Sequence, residues 1–323
     1  MILGALDLAR VRMLHALGPV SRALVVSRER RVAVGAIFAV SLALFLTTTI
    51  PLWALAVGPL VLGVPHIAAD LRYLVVRTGL VRERWLLAAI ALPLAATAFG
   101  GGLRAGTIAA AAALLAGSRR RAFLGLVLLG PVAYVAWRAP ARADVVFAHL
   151  HNLIAVLLWW GFRRGGERAG WRWLALGAMA FGAVLILSGA LGSGGLASGP
   201  HGFDAERLTS ALAPGLSSRW AARVLMLYAF GQSIHYAVWL RLVPDEDRKQ
   251  ATPRSWTASW RAMTSELGAP VLGLTLFAGA IFAFWGLVDV TAARTAYLRS
   301  AAFHGHLELV ALAFAFARGR LRA

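Results

Sequence analysis

Residues 268–288 read GAPVLGLTLFAGAIFAFWGLV, and no charged side chain interrupts them. A helix rises about 1.5 Å per residue, so about 20 apolar residues span the hydrocarbon core of a bilayer. This stretch alone predicts a transmembrane helix. The whole chain has the same character: of its 323 residues 59% are hydrophobic and 15% are charged, against about 25% charged in soluble globular proteins. The composition argues against a water-soluble domain.

Nine further apolar stretches are separated by charged or Gly/Pro-rich segments. The ten predicted spans are centred in 32–49, 51–76, 85–99, 106–117, 122–137, 145–162, 172–191, 220–241, 268–288 and 298–317. The fourth is short and rich in alanine. We therefore predict an all-α fold, a polytopic membrane bundle of about ten transmembrane helices over residues 32–317. A basic amphipathic segment, 1–31, precedes it, and a basic tail, 318–323, follows it.

The chain has 33 Lys and Arg against 14 Asp and Glu, a net charge of +19. In a soluble protein this excess would suggest a nucleic-acid partner, but the distribution of the charges favours another explanation. All but eight of the basic residues fall on one side of the ten-span arrangement. The exceptions are Arg104, Arg138, Arg142, Arg207, Arg219, Arg223, Arg294 and Arg299. Because cytoplasmic loops are rich in Lys and Arg, we expect a multi-pass protein of the cytoplasmic (inner) membrane, both termini cytoplasmic, without a nucleic-acid partner.

Several kinds of chemistry are excluded by what the sequence lacks. Cysteine is absent, which rules out disulfides, thiolate metal sites and cysteine nucleophiles together. The chain also lacks a P-loop, a G-x-S-x-G elbow and an H-E-x-x-H motif. Nucleotide hydrolysis, serine acyl transfer and the common zinc proteases are therefore not indicated.

Ionisable residues inside the predicted spans are the most informative feature. Six of the eight histidines and two carboxylates fall there: His66, His149, His151, His235, His304, His306, Asp70 and Glu308. The other two histidines, His15 and His201, are expected to be solvated. An Asp near the bilayer centre costs about 2.5–3.5 kcal/mol on insertion scales and is tolerated mainly when it faces a partner inside the bundle. Eight such groups in one bundle call for a shared explanation.

Two spans carry a histidine and a carboxylate four residues apart. His66 and Asp70 have this spacing in the second span, and His304 and Glu308 have it in the tenth. Residues at i and i+4 lie on the same face of a helix. Each of these two helices is therefore predicted to direct an imidazole and a carboxylate towards the same interior space.

Two His-x-His pairs have the opposite property. Residues at i and i+2 lie about 200° apart around a helix, so only one of His149 and His151 can point to a shared centre. The same limit applies to His304 and His306. Asn152, three residues after His149, is placed to accompany that histidine if it is the one that points inward.

The eighth span places polar residues around a single histidine. Gln232, at i−3, is suited to a hydrogen bond with His235, and Tyr236 follows His235 directly. Besides the six candidate metal-binding histidines, we regard Asp70, Glu308, Gln232 and Tyr236 as candidate catalytic residues.

A metal ion explains the whole set of polar residues. Imidazole and carboxylate ligands without thiolates suit non-haem iron, zinc, manganese or copper. A cation would also remove the cost of burying these groups, since unprotonated histidines become its ligands and a carboxylate gains a counter-charge. Three or four histidines with an outer Asp or Glu is an ordinary arrangement of such a site.

Four short patches resemble the Brp/Blh family of membrane β-carotene 15,15′-dioxygenases. The stretch Gly63-Val-Pro-His66-Ile-Ala-Ala-Asp70 is similar to the Pro-His-Gly-x-x-Asp motif of that family, with Ile67 in place of the motif glycine. The other patches are Phe147-Ala-His149-Leu-His151, Ile234-His235-Tyr236 and Phe303-His304-Gly-His306. The resemblance implies a multi-span enzyme whose histidines hold non-haem Fe²⁺ and which cleaves a carotenoid with O₂ to retinal. It assigns iron binding to His66, His235 and one histidine of each pair, with Asp70 in support.

Three function classes follow from these observations. The first is a membrane non-haem iron oxygenase with O₂ and a lipophilic substrate, a carotenoid or another isoprenoid, as partners. The second is a haem- or copper-binding electron-transfer protein with paired histidine ligands. The third is a proton-coupled transporter in which the same residues form a relay.

Overall fold

The computed structural model describes residues 2–162 and 170–319, and these form an all-α structure without a β-strand. The helices are α1 (Ile2–Ala16), α2 (Gly18–Val26), α3 (Arg28–Thr49), α4 (Pro51–Gly58), α5 (Val64–Asp70), α6 (Arg84–Ala96), α7 (Gly102–Leu114), α8 (Arg119–Arg138), α9 (Pro140–Gly161), α10 (Gly170–Ser188), α11 (Ala205–Leu212), α12 (Ser218–Ala237), α13 (Val243–Glu246), α14 (Trp256–Leu267), α15 (Ala269–Val288), α16 (Val290–Ser300) and α17 (Phe303–Arg318). The predicted all-α fold is confirmed.

Short segments of other helix types continue some of these helices. The π-helical segments are Pro59–Gly63, Leu71–Val76, Thr97–Gly101 and Val238–Leu242, and 3₁₀ turns occupy Leu80–Arg82 and Gly194–Ala197. One π segment joins α4 to α5 directly before Pro65, which has no backbone N–H to donate to the preceding turn. The second predicted span is therefore one continuous helical rod with altered winding on both sides of His66.

Eight stretches within the described residues are long and apolar enough to cross a membrane, which makes the chain a multi-pass membrane protein. They are Arg28–Thr49, Pro51–Val76, Arg84–Leu114, Arg119–Arg138, Pro140–Gly161, Gly170–Ser188, Ala269–Val288 and Val290–Arg318. Three of the eight contain two α-helices each: α4 and α5 lie in Pro51–Val76, α6 and α7 in Arg84–Leu114, and α16 and α17 in Val290–Arg318.

Several predicted boundaries differ from those of the structure. The first span begins at Arg28 instead of residue 32, since the Ser27 side chain caps the helix by accepting from the backbone N–H of Arg30 at 3.3 Å. The predicted segment 1–31 thus ends inside α3. The fourth span is α7, which begins at Gly102 and ends at Leu114. Gly100 and Gly102 have φ of +88° and +50°, a backbone that reverses the chain so that α7 packs back against α6.

Two predicted segments fall partly outside the described residues. These are residues 163–169 of the basic segment 163–172, and residues 320–323 of the basic tail 318–323.

Helix α15 faces the lipid. It is apolar all round, and Leu272 is its one buried residue. Leu274, Phe277, Phe284 and Leu287 are all more than half exposed. A helix with no polar face and little protein cover is stable where hydrocarbon surrounds it, which is the environment that its sequence predicted.

Helix α12 lies at the centre of the bundle. It packs against α3, α4, α9, α10 and α11. Ten of its 20 residues are buried, including Gln232, His235 and Tyr236. The predicted span 220–241 contains most of α12. It is the one predicted span without a counterpart among the eight apolar stretches of the described residues. Neighbouring helices shield α12 from lipid, so it can carry polar side chains that a lipid-facing helix could not.

Buried ion pairs hold the end of α12 where α13 follows. Arg31 donates two hydrogen bonds to Asp245, at 2.8 and 2.9 Å, and Arg172 donates two to Glu246, both at 2.7 Å. Burial raises the pKa of Asp245, but the hydrogen bonds from Arg31 and the charge of Arg241 outweigh it and leave that pKa below its usual value. These forked pairs attach α3 and α10 to α13, which follows α12 and its π-helical extension.

Candidate metal centre

Four helices each contribute one imidazole to a compact cluster. His66 comes from α5, His151 from α9, His235 from α12 and His304 from α17. The ring of His66 lies 5.1 Å from that of His235 and 4.8 Å from that of His304, measured between centroids. The ring of His151 lies 5.0 Å from His235 and 5.5 Å from His304. Histidines far apart in the sequence therefore share one interior space.

A repeated hydrogen bond determines which nitrogen faces that space. Nδ1 of His66 contacts the carbonyl oxygen of Gly63 at 2.6 Å, and Nδ1 of His151 contacts that of Ala148 at 2.7 Å. Nδ1 of His304 has the same contact, at 2.5 Å, with the carbonyl three residues earlier. A carbonyl oxygen can only accept, so each Nδ1 carries the proton and each Nε2 keeps its lone pair. Three rings thus present an unprotonated nitrogen.

The separation of the nitrogens suits a single ion. His66, His235 and His304 each have one ring nitrogen such that the three nitrogens lie within 4.8 Å of one another. Ligand atoms bonded to one ion at about 2.0–2.2 Å lie about 3–4.4 Å apart. Because only a trans pair reaches the upper end of that range, the three nitrogens would have to draw together by up to about 1 Å to bind one ion. His151 lies beside this triad and does not belong to it.

A second layer of polar groups lies one helical turn beyond the imidazoles. Asp70, Trp239 and Glu308 are each four residues after a clustered histidine, so they share that histidine's helix face. Asp70 Oδ2 lies 3.7 Å from His66 Nε2, and Glu308 Oε1 lies 3.6 Å from the Nε2 of the histidine on α12. The Trp239 N–H donates to Glu308 Oε1 at 2.6 Å. Both carboxylates are fully buried.

None of the residues that the structure describes donates a hydrogen bond to Asp70. Neither of its carboxylate oxygens has a partner, and Nε2 of His66, which faces it, is also without one. A carboxylate oxygen and an unprotonated imidazole nitrogen both accept hydrogen bonds and cannot satisfy each other. Buried acceptors that face one another are costly unless a proton or a cation lies between them. This pair is therefore a place that a bound metal ion would stabilise.

The structure separates the two histidines of each His-x-His pair. His149 points away from the cluster, and its Nε2 contacts the carbonyl of Leu212 at 2.9 Å. His306 stacks on Phe147, with ring centroids 4.6 Å apart, and packs against Gly106 of α7. The prediction named both residues as candidate ligands, and the structure brings neither into the cluster, because a two-residue step turns the side chain to another face of its helix.

Two predicted polar contacts are not formed. Gln232 does not bond to His235, as neither ring nitrogen of His235 has a hydrogen-bond partner. The Gln232 amide instead lies close to Gly58 of α4. Asn152 does not accompany the histidine three residues earlier, and its amide N–H group donates to the carbonyl of Ala148 at 3.4 Å.

Tyr236 does lie at the cluster. Its ring is 5.0 Å from that of His66 and 6.0 Å from that of His235, and the side chain is buried. His15 and His201 are exposed, as expected. The sequence reasoning missed Trp239, which has the same i+4 relation to His235 that singled out Asp70 and Glu308. An aromatic residue in an apolar span gave no reason to examine that spacing.

The four clustered histidines differ in their solvent exposure. His66 and His235 are each 1% exposed, whereas His151 and His304 are only partly buried. His66 and His235 are therefore the enclosed members of the cluster, and His151 and His304 are its more accessible members.

Comparisons of this chain with protein-family models, with curated proteins and with solved structures gave no match.

Proposed function

We propose that this chain is an integral-membrane non-haem iron oxygenase that acts on a lipophilic substrate. The observation that carries the proposal is the convergence of one ring nitrogen each from His66, His235 and His304 within 4.8 Å of one another. Beside them lies the buried carboxylate of Asp70, whose oxygens have no hydrogen-bond partner among the described residues. Three imidazoles with one nearby carboxylate are ligands that ferrous iron accepts while keeping open positions.

The protein's own groups have separate roles in this proposal. His66, His235 and His304 would hold the ion, and the negative charge of Asp70 would offset part of the positive charge of the ion. Bound ferrous iron would supply the reaction with O₂. The partly exposed faces of His151 and His304 would border the place where substrate and O₂ enter, and the surrounding apolar helices would exclude water.

The membrane setting favours an apolar substrate. A carotenoid or another isoprenoid dissolves in the hydrocarbon layer, where it can enter the bundle sideways between helices. All four clustered histidines lie in the patches that resemble the Brp/Blh family, which makes carotenoid cleavage the first reaction to assay. The basic excess on one side of the spans supports a location in the cytoplasmic membrane with both termini inside.

The alternative of a haem protein receives less support. Two axial histidines on a haem iron must leave a flat macrocycle between their rings. Here four rings lie with neighbouring centroids 4.8–5.8 Å apart, packed edge to face. That arrangement leaves no plane for a porphyrin. Copper and zinc accept the same ligands, and elemental analysis distinguishes them from iron.

The experiment compares neighbouring histidines on the same helix. We expect purified wild-type protein to contain iron by elemental analysis and to lack the strong Soret band of haem. His304→Ala should abolish metal binding and oxygen consumption with a carotenoid substrate, whereas His306→Ala, its matched control, should retain the metal. His66→Ala should behave like His304→Ala, and His149→Ala like the control.

Equal metal content in His304→Ala and wild type would overturn the metal site. Metal-free wild-type protein with pH-dependent substrate flux would instead support the transporter. If the protein contains iron but consumes no oxygen with any polyene, the metal site is retained and the oxygenase activity is rejected.

A further inference from the structure

A cavity of about 670 Å³ lies at the end of the bundle where α12 passes into α13, away from the histidine cluster. One wall is formed by Leu6, Met13 and Leu14 of α1 and by Leu17, which follows that helix. The opposite wall is formed by the segments 240–248 and 253–259. One side of the cavity is thus apolar, and the other follows a chain segment rich in arginine.

Specific hydrogen bonds hold α1 in position beside this cavity. The Asp7 carboxylate caps α14, accepting from the backbone N–H of Trp256 at 2.6 Å and from the Thr257 hydroxyl at 2.7 Å. Arg10 donates to the carbonyl of Arg254 at 2.5 Å. Helix α1 is therefore attached to the start of α14 and to the loop before it, and this wall of the cavity is part of the folded structure.

The opposite wall carries more positive than negative charge. Arg31 and Arg241 both donate to Asp245 and so share its single carboxylate. Arg248 and Arg254 also line the cavity, and neither has a carboxylate partner among the described residues. Within the part of the chain that the structure describes, two cations of this wall therefore have no carboxylate paired with them.

Arg248 is held in place although no carboxylate among the described residues pairs with it directly. Arg28 donates to the carbonyls of Arg248 and Gln250, at 2.6 and 2.7 Å, which holds the backbone of this loop. Nη1 of Arg248 is inaccessible and has no hydrogen-bond partner. Burial, and then the nearby charge of Arg254, lower the pKa of Arg248, as expected where cations gather without an anion.

We propose that this cavity binds an anionic phospholipid, with its phosphodiester against Arg248 and Arg254 and an acyl chain along the apolar face of α1. Guanidinium groups bind phosphate oxygens through paired hydrogen bonds. The apolar wall and the position at the end of the membrane spans favour a lipid over free phosphate. The site is independent of the proposed oxygenase activity, and its occupant would join α1 to the bundle.

The test measures thermal stability of the detergent-purified full chain with added phosphatidylglycerol, phosphatidylcholine or inorganic phosphate. We expect phosphatidylglycerol alone to raise the Tm. Arg248→Glu with Arg254→Glu should raise the phosphatidylglycerol concentration needed for half the effect by about tenfold or more. The matched control is Lys249→Glu with Arg261→Glu, two exposed basic residues that do not line the cavity, and it should respond like wild type.

Three results would overturn the proposal: no effect of phosphatidylglycerol on wild type, an equal loss in the control pair, or the same stabilisation by inorganic phosphate. The milder pair Arg248→Gln with Arg254→Gln keeps the test decisive if charge reversal prevents folding. Leu14→Gln, on the apolar wall, should weaken the response to the lipid, and an unchanged response would reject the acyl-chain contact.

Discussion

The hydrogen bond from a histidine Nδ1 to the carbonyl three residues earlier recurs on α5, α9 and α17. It uses one nitrogen of the ring, fixes the tautomer, and orients the other nitrogen towards the cluster. His235 lacks this bond, and Glu308 lies beside it instead, held by Trp239. At 3.6 Å this contact is not a hydrogen bond. Three of the four imidazoles are thus oriented by the same hydrogen bond, and His235 is not.

Trp239 provides a test at the residue scale. Trp239→Phe removes the N–H that donates to Glu308 and leaves that buried carboxylate without a donor, so we expect the free energy of unfolding to fall by about 1–3 kcal/mol. The control is Trp159→Phe. Trp159 is 1% exposed and its N–H has no hydrogen-bond partner, so this variant loses similar volume and no hydrogen bond.

Denaturation midpoints of the purified variants in the same detergent measure the difference. If the two Trp→Phe variants are equally stable, the Trp239–Glu308 bond contributes nothing to holding the site.

At the scale of elements, close helix packing around α12 positions His235. Helix α10 packs against α3 and α12, and Gly182 lies at that contact. A Cβ at Gly182 would lie 2.8 Å from Cζ of Phe230 on α12 and 3.3 Å from a methyl carbon of Leu44 on α3. Small residues allow helix backbones to approach closely in membranes, where no hydrophobic force drives helices together.

The close contact at Gly182 predicts different outcomes for substitutions at two glycines of α10. Gly182→Ala should lower the free energy of unfolding by about 1–3 kcal/mol, the usual cost of inserting a methyl group into a packed contact. Gly177→Ala should cost nothing, because no atom lies within 4 Å of a Cβ there. Denaturation in detergent compares the two. An equal effect of both substitutions would mean that the tight approach of α10 is not needed.

At the scale of the whole molecule, the distribution of arginine predicts which side of the membrane each loop occupies. The segment 241–261 belongs to the basic side, and the segment 192–218 to the other. Because cytoplasmic loops retain Lys and Arg, the first should lie inside the cell and the second outside.

The absence of cysteine from the chain makes this orientation directly testable. Single substitutions Ser193→Cys and Lys249→Cys place one thiol at an exposed position in each loop. In intact cells, a membrane-impermeant maleimide should label Ser193→Cys and leave Lys249→Cys unlabelled, and permeabilised cells should label both. The reverse pattern in intact cells would show that the arginine-rich loops face outward.

Much of the fold could be predicted because it depends on local properties. Hydropathy over about 20 residues identifies a span wherever it occurs, and the i, i+4 relation placed Asp70 beside His66 and Glu308 on the helix face of His304. Boundaries were less accurate, since Ser27 and the glycines near residue 100 act through cap and turn geometry. The site was predicted only in part, because hydrogen bonds such as that of Gln232 depend on which helix lies opposite.

The amino-acid sequence by itself determined that this is a helical membrane protein with imidazoles and carboxylates in its spans, because apolar length and helical period act within each segment. Only the tertiary structure decided that His151 and His304 join the cluster while His149 and His306 point elsewhere. The physical reason is rotation: two residues turn a side chain by about 200°, and the packing of each helix against its neighbours selects the face that turns inward.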